Sequence, residues 1–374
     1  MNKFHIAVIL GTRPEIIRLS RVISVLRTHY DLTLIHTGQN YTKELSEIFF
    51  SDLEIPLPDY YLDSDTTSLG SQIGTIISSS YSLLSDLKPD AVLILGDTNS
   101  ALSAISAKRL KIPIFHMEAG NRCYDQNVPE EINRKIVDHI SDINLTYSQI
   151  SRDVLLRESI PSDRIVCIGS PLGEVINYYL PKIHSSTILN TLNLTPNEYL
   201  VVSSHRQENI DDPSRLSEFF ELLNYLVSRF SKPIIVSTHP RLLSRIPDSV
   251  SFPEYVTFAP PFAFTDYCKL QINSCLTLSD SGSISEEASI LNFPAINLRN
   301  CQERHEAIEE GVLPFTGFDL RSISNSIEVV LHQSRAETRD ISLVYDYSSQ
   351  NTSQKLLRII PSYINYVNQY VWNK

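Results

Sequence analysis

The stretch FHIAVILGTRPEIIRLSRVISVLR, residues 4–27, decides the fold class of this chain. Residues 4–10 form a short, continuous apolar run rich in β-branched side chains, which predicts a buried strand. Gly11 marks a turn, Pro14 stands near the first helical position, where its missing N–H costs nothing, and a helix is predicted over 15–28. An apolar strand that passes directly into a helix is typical of a parallel sheet covered by helices on both faces.

The same strand-then-helix pattern recurs along the chain, with further amphipathic segments at 68–86 and 98–110. The sequence therefore predicts an α/β protein of two Rossmann-like, doubly wound domains, 1–172 and 173–354, with a hinge near 171–185. The predicted strands are 4–10, 32–37, 91–95, 113–117, 142–146 and 164–168 in the first domain, and 199–203, 233–237, 255–258, 275–279 and 294–298 in the second.

The composition limits the kinds of partner that the chain can have. With 374 residues and a formal net charge of -11, it lacks the basic surface that a general nucleic-acid or anionic-membrane binder needs. Its 5 cysteines form no CxxC pair, which argues against structural zinc and a disulfide framework. The apolar run near the start is too short for a secretion signal, and no longer apolar run predicts a membrane span. An anionic small ligand is still compatible with this charge, because a few local arginines and helix N-termini can hold it.

Glycines and polar clusters concentrate at the ends of the predicted strands. Only 11 of the 374 residues are glycine, which is well below the usual share of about 7%. Four of these glycines each follow a predicted strand almost at once: Gly11, Gly38, Gly96 and Gly169. Ligands of open α/β sheets bind outside the carboxyl ends of the strands. Two such edges that face one another would form an active site in an interdomain cleft. The polar clusters at these ends are 11–15, 37–40, 96–100, 116–134, 203–209, 237–241 and 279–283.

The turn GTRPE, residues 11–15, has two interpretations. Free backbone amides at a helix start form an anion site, to which Arg13 adds a fork-shaped donor. The alternative is a capped helix with a solvated arginine, and the motif alone favours neither. No GxGxxG and no GxxxxGK[ST] motif occurs, so the chain has neither a dinucleotide fingerprint nor a P-loop.

The turn SDSGS, residues 279–283, repeats this pattern in the second domain. Amides and hydroxyls of Ser281, Gly282 and Ser283 could hold a phosphate, with Glu287 on a ribose diol. The alternative is an ordinary Asp or Ser cap with a stabilising acid in the first turn of the helix.

Acids and histidines that suit proton transfer also lie at these strand ends. Asp97, Glu118 and Glu130 come from separate loops of the first domain, and carboxylates gathered in a cleft can act as an acid and a base. The alternative is that they are solvated surface acids. His205 and His239 end two successive predicted strands, which favours ligand contact or acid–base work over metal binding, since no HxH or HxxxH pair occurs.

In this order the motifs resemble those of the bacterial non-hydrolysing UDP-N-acetylglucosamine 2-epimerase family. The resemblance implies a GT-B-like architecture with the active site between the domains, and a C-terminal helix, 355–374, that packs back on the first domain. It also implies a cytoplasmic homodimer that uses a UDP-sugar and needs no metal or redox cofactor. The shared motifs are GTRPEII at 11–17, GDTNS at 96–100, HMEAGNR at 116–122, PEEINR at 129–134, SSHRQEN at 203–209, DSGSISEEA at 280–288 and ER at 303–304.

The family's reaction gives the clustered acids a purpose. UDP leaves C1 as the C2 proton is removed, and UDP then adds back to the 2-acetamido-glycal with protonation on the other face, which inverts C2. Carried over by motif, the catalytic residues are Asp97, Glu118, Glu130 and His205. The substrate- and UDP-binding residues are Arg13, Arg18, Gln39, Arg134, His239, Tyr267, Ser281, Gly282, Ser283, Glu287 and Arg304.

Three positions depart from the usual family motifs. Arg18 replaces a lysine, Asn121 replaces the leucine of EAGLRT, and Ser283 replaces the second glycine of DSGG. These changes favour a subgroup that acts on modified sugars, foremost one that forms UDP-N-acetyl-L-fucosamine from UDP-2-acetamido-2,6-dideoxy-L-talose for capsule or O-antigen synthesis. The alternatives are a UDP-GlcNAc or UDP-2,3-diacetamido-glucuronate 2-epimerase and, more distantly, a GT-B glycosyltransferase.

Overall fold

The computed structural model describes residues 3–39, 43–204, 213–238, 254–333 and 339–374. Its contacts divide the chain into two compact units. Unit 1 comprises Met1–Asn177 and Tyr345–Lys374, and unit 2 comprises Tyr178–Val344. The segment 171–185, where a hinge was expected, is helical. No helix among the described residues combines the length and apolarity that a membrane span requires.

Unit 1 is built on a sheet of seven parallel strands in the order β3-β2-β1-β4-β5-β6-β7. This order is that of a doubly wound sheet, in which helices cover both faces. The central strands are apolar throughout because neither face meets water; no residue of β4 is more than 3% exposed. The strands are β1 His5–Leu10, β2 Asp31–His36, β3 Tyr60–Tyr61, β4 Ala91–Leu95, β5 Ile114–Met117, β6 Ile143–Thr146 and β7 Ile165–Cys167.

The helices of unit 1 bury one apolar face each. In the first helix the buried stripe includes Ile16, Leu19, Val22, Ile23 and Leu26, the spacing of an amphipathic helix on a sheet. The helices are α1 Arg13–His29, α2 Lys43–Asp52, α3 Leu69–Leu87, α4 Ser103–Arg109, α5 Pro129–Ile140, α6 Gln149–Arg157 and α7 Pro171–Ser185, the last of which continues into unit 2. Short 3₁₀ turns occupy Asn99–Leu102, Ser162–Arg164 and Tyr345–Tyr347.

The chain returns to unit 1 through its last helix, Thr352–Tyr370. Its buried residues Leu356, Ile360, Ile364 and Val367 recur three or four positions apart, and the helix packs against α1. The hydroxyl of Tyr30 donates a hydrogen bond to the Leu357 carbonyl at 2.7 Å. The last helix therefore completes the helical layer of unit 1.

Unit 2 repeats the architecture on five parallel strands in the order β10-β9-β8-β11-β12. Its main core joins Leu200 and Leu276 of the sheet with Phe219, Leu222 and Ile327 of the covering helices. The strands are β8 Leu200–Ser203, β9 Ile234–Ser237, β10 Val256–Ala259, β11 Leu276–Ser279 and β12 Ala295–Asn297. The remaining helices are α8 Ile188–Thr191, α9 Pro213–Phe230, α10 Phe264–Asn273, α11 Ile284–Leu291, α12 His305–Glu309, α13 Leu320–Leu331 and α14, the returning Thr352–Tyr370.

The predicted fold class, two doubly wound parallel α/β domains, is confirmed. Every predicted strand overlaps an observed one. The additional strand β3 was missed because its two residues, Tyr60 and Tyr61, are exposed and belong to no apolar run.

Candidate active site

Two of the predicted acids lie at one edge of the unit 1 sheet. Asp97 follows β4 after Gly96, and Glu118 follows β5 directly, so the two acids leave neighbouring strands. The Gly96 N–H donates to the Met117 carbonyl at 3.0 Å, which ties the two strand ends together. Glu118 has a φ of 68°, in the left-handed region that a residue with a Cβ rarely adopts.

The Glu118 carboxylate is held between two side chains. Asn121 Nδ2 donates to its Oε1 at 3.3 Å, and Arg18 Nε forms an ion pair with its Oε2 at 3.8 Å. The Arg18 guanidinium lies over the ring of Tyr147, 5.8 Å from the ring centre. The structure thus brings together Arg18, a predicted binding residue, and Glu118, a predicted catalytic one.

Asp97 belongs to a second charged group. Arg134 Nε donates to Asp97 Oδ2 at 2.7 Å, and Arg134 Nη1 donates to Glu131 Oε2 at 3.0 Å. The Glu131 carboxylate also accepts the backbone N–H groups of Cys123 at 3.0 Å and Tyr124 at 3.2 Å. Burial alone would raise the pKa of Glu131, but the hydrogen bonds from Cys123 and the charge and hydrogen bond of Arg134 lower it. Glu131 therefore anchors the loop before α5 as a buried carboxylate.

Sequence reasoning singled out Glu130 and missed its neighbour Glu131. Glu130 is partly exposed in the first turn of α5, whereas Glu131 is fully buried. Only the fold separates the two, since both belong to the pair that follows Pro129. A useful signal was the spacing of Glu131 and Arg134, which places them on one face of a helix.

A buried ion network beneath this edge was also missed. His116 Nε2 lies 2.8 Å from the Gly96 carbonyl, and His116 Nδ1 lies 2.9 Å from Asp138 Oδ1. Both neighbours are acceptors, so the surroundings of the ring favour the charged imidazole, which can donate from both nitrogens. Burial alone would lower the pKa of His116, but the Asp138 carboxylate and the Gly96 carbonyl raise it.

Asp138 connects this histidine to the loop after Glu118. Its Oδ2 accepts Arg122 Nη1 at 2.7 Å and the Gly120 N–H at 3.2 Å. Through these bonds one buried carboxylate fixes both the Gly96 turn before Asp97 and the Gly120 turn after Glu118. Gly120 has a φ of 85°, and a Cβ at this position would lie 2.3 Å from the Ser151 carbonyl oxygen, so the turn requires glycine.

The turn at 11–15 follows the capped-helix interpretation for its first two amides. Glu15 Oε2 accepts the N–H groups of Gly11 at 2.5 Å and Thr12 at 2.9 Å, and Thr98 Oγ1 donates to Glu15 Oε1 at 2.5 Å. Glu15 therefore occupies these two amides, and the anion-site interpretation does not apply to them. Burial raises the pKa of Glu15 to about 7, even though these donors oppose the rise. Arg13 is partly exposed, with its guanidinium 5.9 Å from the centre of the Phe49 ring.

Gln39 makes its side-chain contacts within unit 1. Its Oε1 accepts the N–H of Ser100 at 2.9 Å and the Ser100 hydroxyl at 3.0 Å, while Gln72 Nε2 donates to the Gln39 carbonyl at 3.2 Å. These bonds hold the loop after β2 to the 3₁₀ turn that follows Asp97.

In unit 2, the predicted phosphate turn and the predicted ribose acid are in contact. Ser283 Oγ donates to Glu287 Oε1 at 2.7 Å, and Gln271 Nε2 donates to Glu287 Oε2 at 2.7 Å. The hydroxyls of Ser281 and Ser283 are 2.9 Å apart. Burial and the nearby Glu287 charge raise the pKa of Tyr267, which keeps its phenol neutral.

Of the four remaining predicted site residues, the structure describes Arg304 and Gly282. Arg304 is 2% exposed, and its Nη2 forms an ion pair with Glu286 Oε2 at 3.3 Å. Gly282 lies between the two serines of the turn. His205 and His239 lie outside the described residues.

Comparisons with known proteins identify the family of this chain. A family model described as UDP-N-acetylglucosamine 2-epimerase matches residues 25–361. The solved UDP-N-acetylglucosamine 2-epimerase of Rickettsia bellii is 45% identical, with a TM-score of 0.94 over 100% of both chains. The Methanocaldococcus jannaschii enzyme, solved with UDP-GlcNAc and UDP, is 32% identical with a TM-score of 0.89, over 96% of this chain and 100% of that one. The UDP-2,3-diacetamido-2,3-dideoxy-D-glucuronate 2-epimerase of Pseudomonas aeruginosa is 32% identical over 83% of this chain and 88% of its own length.

Proposed function

Because this chain belongs to the UDP-N-acetylglucosamine 2-epimerase family, we propose that it inverts C2 of a UDP-2-acetamido sugar by eliminating UDP and adding it back. The observation that carries this proposal is the meeting of Glu118, Arg18 and Asn121 at the sheet edge where Asp97 and Arg134 also lie. Carboxylates with fixed partners at one edge are what two opposed proton transfers need.

The reaction requires the enzyme to assist bond breaking at two atoms of the sugar, C1 and C2. In the first half, the C2–H and C1–O bonds break, which yields a 2-acetamido-glycal and UDP. In the second half, the C1–O bond forms again and C2 receives a proton on the opposite face. The C2 proton is not acidic without an adjacent carbonyl, so a positioned base and stabilisation of the leaving diphosphate must lower the barrier.

We assign the proton transfers to the acids of unit 1. Asp97, Glu118 and Glu130 are the candidates, with His205 added on the family resemblance alone. Arg134 holds Asp97 in place through its 2.7 Å hydrogen bond, which fixes one carboxylate before the sugar arrives.

The nucleotide is assigned to unit 2. The paired hydroxyls of Ser281 and Ser283 suit phosphate oxygens, and Glu287, held at both oxygens, suits the ribose hydroxyls. Arg304, almost fully buried against Glu286, supplies positive charge for the diphosphate.

Within this class we propose a modified sugar as substrate, with UDP-2-acetamido-2,6-dideoxy-L-talose converted to UDP-N-acetyl-L-fucosamine for capsule or O-antigen synthesis. The departures Arg18 and Asn121 both contact Glu118, and Ser283 contacts Glu287. Arg18 and Asn121 contact a proposed catalytic acid, which supports a change of sugar more strongly than scattered surface changes would, whereas Ser283 belongs to the proposed nucleotide site.

The test is incubation with a panel of UDP-sugars in deuterated water. The panel contains UDP-GlcNAc, the 6-deoxy-L-talo sugar and the 2,3-diacetamido uronic acid. We expect inverted product with deuterium at C2, and the fastest labelling with the L-talo substrate. Inverted product without the label would refute the elimination mechanism, and labelling of no member would refute the activity. Fastest labelling of another member would reassign the substrate.

We also propose a cytoplasmic homodimer, as the family resemblance implies. Light scattering on the purified protein should give twice the mass of the 42.4 kDa chain. A monomer at micromolar concentration would refute this part of the proposal alone.

A further inference from the structure

Two of the three departures from the family motif converge on a single carboxylate. Arg18 lies in α1 and Asn121 lies in the loop after β5, yet each contacts one oxygen of Glu118. Residues that are far apart in sequence and meet at one acid are candidates for a shared task.

The Asn121 amide has a fixed orientation. Ser151 Oγ donates to Asn121 Oδ1 at 3.0 Å, and Ser148 Oγ donates in turn to Ser151 Oγ at 3.1 Å. With Oδ1 engaged as an acceptor, Nδ2 is the atom that faces Glu118 Oε1. Asn121 is 3% exposed, so water does not compete freely for this donor. A leucine at this position would have the volume but no donor.

Arg18 is held from a different direction. Its side chain is 5% exposed, and its guanidinium lies over the face of Tyr147, which is itself 1% exposed. A planar guanidinium can stack on an aromatic face and keep its N–H groups directed in the plane. A lysine ammonium has neither the plane nor the fork, so it would not hold this geometry.

The backbone beneath Glu118 leaves little other freedom. Glu118 itself has a φ of 68°, and the next turn is fixed by the Gly120 N–H to Asp138 bond. A residue held in the left-handed region is strained and persists only where its surroundings require it. The side chain of Glu118 therefore starts from a fixed Cβ, and the position of its carboxylate is left to its neighbours.

We infer that Arg18 and Asn121 are paired positioning residues that together fix the plane of the Glu118 carboxylate, and that they adapt this site to its sugar. The inference rests on the proposed function, because Glu118 is taken as the acid or base at C2. Each residue acts through Glu118: Asn121 sets Oε1 and Arg18 sets Oε2. Proton transfer depends on sub-ångström placement, so a carboxylate that rotates out of plane lowers turnover more than binding.

The test is a double-mutant cycle that uses the full-length enzyme and its best UDP-sugar substrate. Asn121→Leu should lower kcat roughly 10-fold or more, as expected for the loss of a hydrogen bond to a charged group, while KM changes by less than about threefold. In a Glu118→Asp background, whose shorter carboxylate is out of reach of Nδ2, the same change should have little further effect. Arg18→Lys should behave in the same way with a smaller loss.

Asn127→Leu is the matched control. Asn127 lies exposed in the same loop, and its side chain contacts Asp125 instead of Glu118. This variant should keep wild-type kcat. The inference is overturned if Asn121→Leu leaves kcat unchanged, or if its loss is equally large in the Glu118→Asp background.

A crystal structure of Asn121→Leu separates this inference from the proposed function. If wild-type enzyme turns over no UDP-sugar, the function fails, but the position of Glu118 can still be compared. We expect the Glu118 carboxylate to rotate or to occupy several conformers in the variant. An unchanged, single conformer would overturn the inference whatever the activity.

Discussion

Glu118 in unit 1 and Glu287 in unit 2 occupy comparable places and are held in different ways. Glu118 directly follows β5, whereas Glu287 lies in the first turn of α11, the helix that follows β11. Each has a donor or a cation at both carboxylate oxygens. Glu118 is held by the cation of Arg18 and the amide of Asn121. Glu287 is held by the hydroxyl of Ser283 and the amide of Gln271, both neutral.

The contrast extends to the charged groups near Glu118, although unit 2 has a buried ion pair of its own, Arg304 with Glu286. Around Glu118 the charges are paired and buried, as in Asp97 with Arg134 and Asp138 with His116. Around Glu287 the partners are hydroxyls and amides. Fixed charges in a buried site stabilise the charge that develops in a transition state. Neutral donors suit a bound ligand whose charge does not change during the reaction. This contrast agrees with our proposal that the edge of unit 1 transfers protons and the edge of unit 2 holds the nucleotide.

The largest effect that this comparison predicts is on turnover. Glu118→Gln keeps the shape of the side chain but removes the proton-transfer group, so kcat should fall ~10²–10⁴-fold. The Kd for UDP should stay within about twofold, because the nucleotide is assigned to unit 2. Steady-state kinetics and isothermal titration with UDP measure the two quantities.

Glu287→Gln is the matched variant for this prediction. It should weaken UDP binding by about tenfold, as expected for the loss of a charged hydrogen-bond acceptor, while kcat at saturating substrate changes much less. If both variants lower kcat equally and leave UDP binding alone, the division of labour between the units is wrong.

The second effect is on stability and belongs to unit 1. Asp138→Asn removes the buried negative charge that pairs with both His116 and Arg122, and leaves Glu158 as the acid that still pairs with Arg122. Breaking a buried ion pair in this way typically costs ~3–5 kcal/mol. Urea unfolding followed by circular dichroism should show this loss.

Asp153→Asn provides the control, since Asp153 accepts only a surface hydrogen bond from Gln149 among its recorded contacts. A free energy of unfolding for Asp138→Asn within ~1 kcal/mol of wild type would mean that the network contributes little to the fold.

The sequence predicted the sheets well because their signal is local. A strand such as β4, which is buried on both faces, must be apolar at every position. Gly96, directly after it, marks a turn with a positive φ. The two strand-end acids, Asp97 and Glu118, could be located for the same reason.

The partners of those acids could not be predicted, because tertiary packing chooses them. The sequence PEE, residues 129–131, does not distinguish buried Glu131 from partly exposed Glu130. The sequence also does not predict that Asp138 lies 2.9 Å from His116. Arg134 and Gln39 were assigned to ligand from motif position, while their recorded hydrogen bonds go to other residues of unit 1. Family motifs identify a residue type at a position and leave its contacts to the structure.

The third effect is a pH dependence that originates in Glu15 of unit 1. Glu15 keeps its proton in the folded chain up to about pH 7, whereas an exposed glutamate loses it near pH 4.3. A folded-state pKa above the unfolded one contributes stability that is present at low pH and lost as the pH rises through the folded pKa. Between about pH 5.5 and pH 8, wild type should therefore lose ~2 kcal/mol more of its free energy of unfolding than Glu15→Gln does.

Urea unfolding of both proteins at the two pH values measures this difference, and groups such as His116 titrate in both and cancel. Glu54→Gln, an exposed acid of the same unit, should keep the wild-type dependence. If Glu15→Gln also keeps it, Glu15 is ionised in the folded chain throughout this range.

The smallest effect is expected on UDP affinity, from removal of the hydroxyl of Ser283. This residue is the departure from the family motifs that lies in unit 2. Ser283→Ala removes one donor from Glu287 but leaves Gln271 on the other oxygen. The loss of one hydrogen bond of ~1 kcal/mol should weaken UDP binding about fivefold, with kcat at saturation unchanged. Ser289→Ala in the same helix is the control, because its hydroxyl accepts the Val344 N–H and has no recorded bond to Glu287. Titration calorimetry distinguishes the two variants, and a fall in kcat instead of affinity for Ser283→Ala would make the Glu287 edge part of the reaction, as the Glu118 edge is.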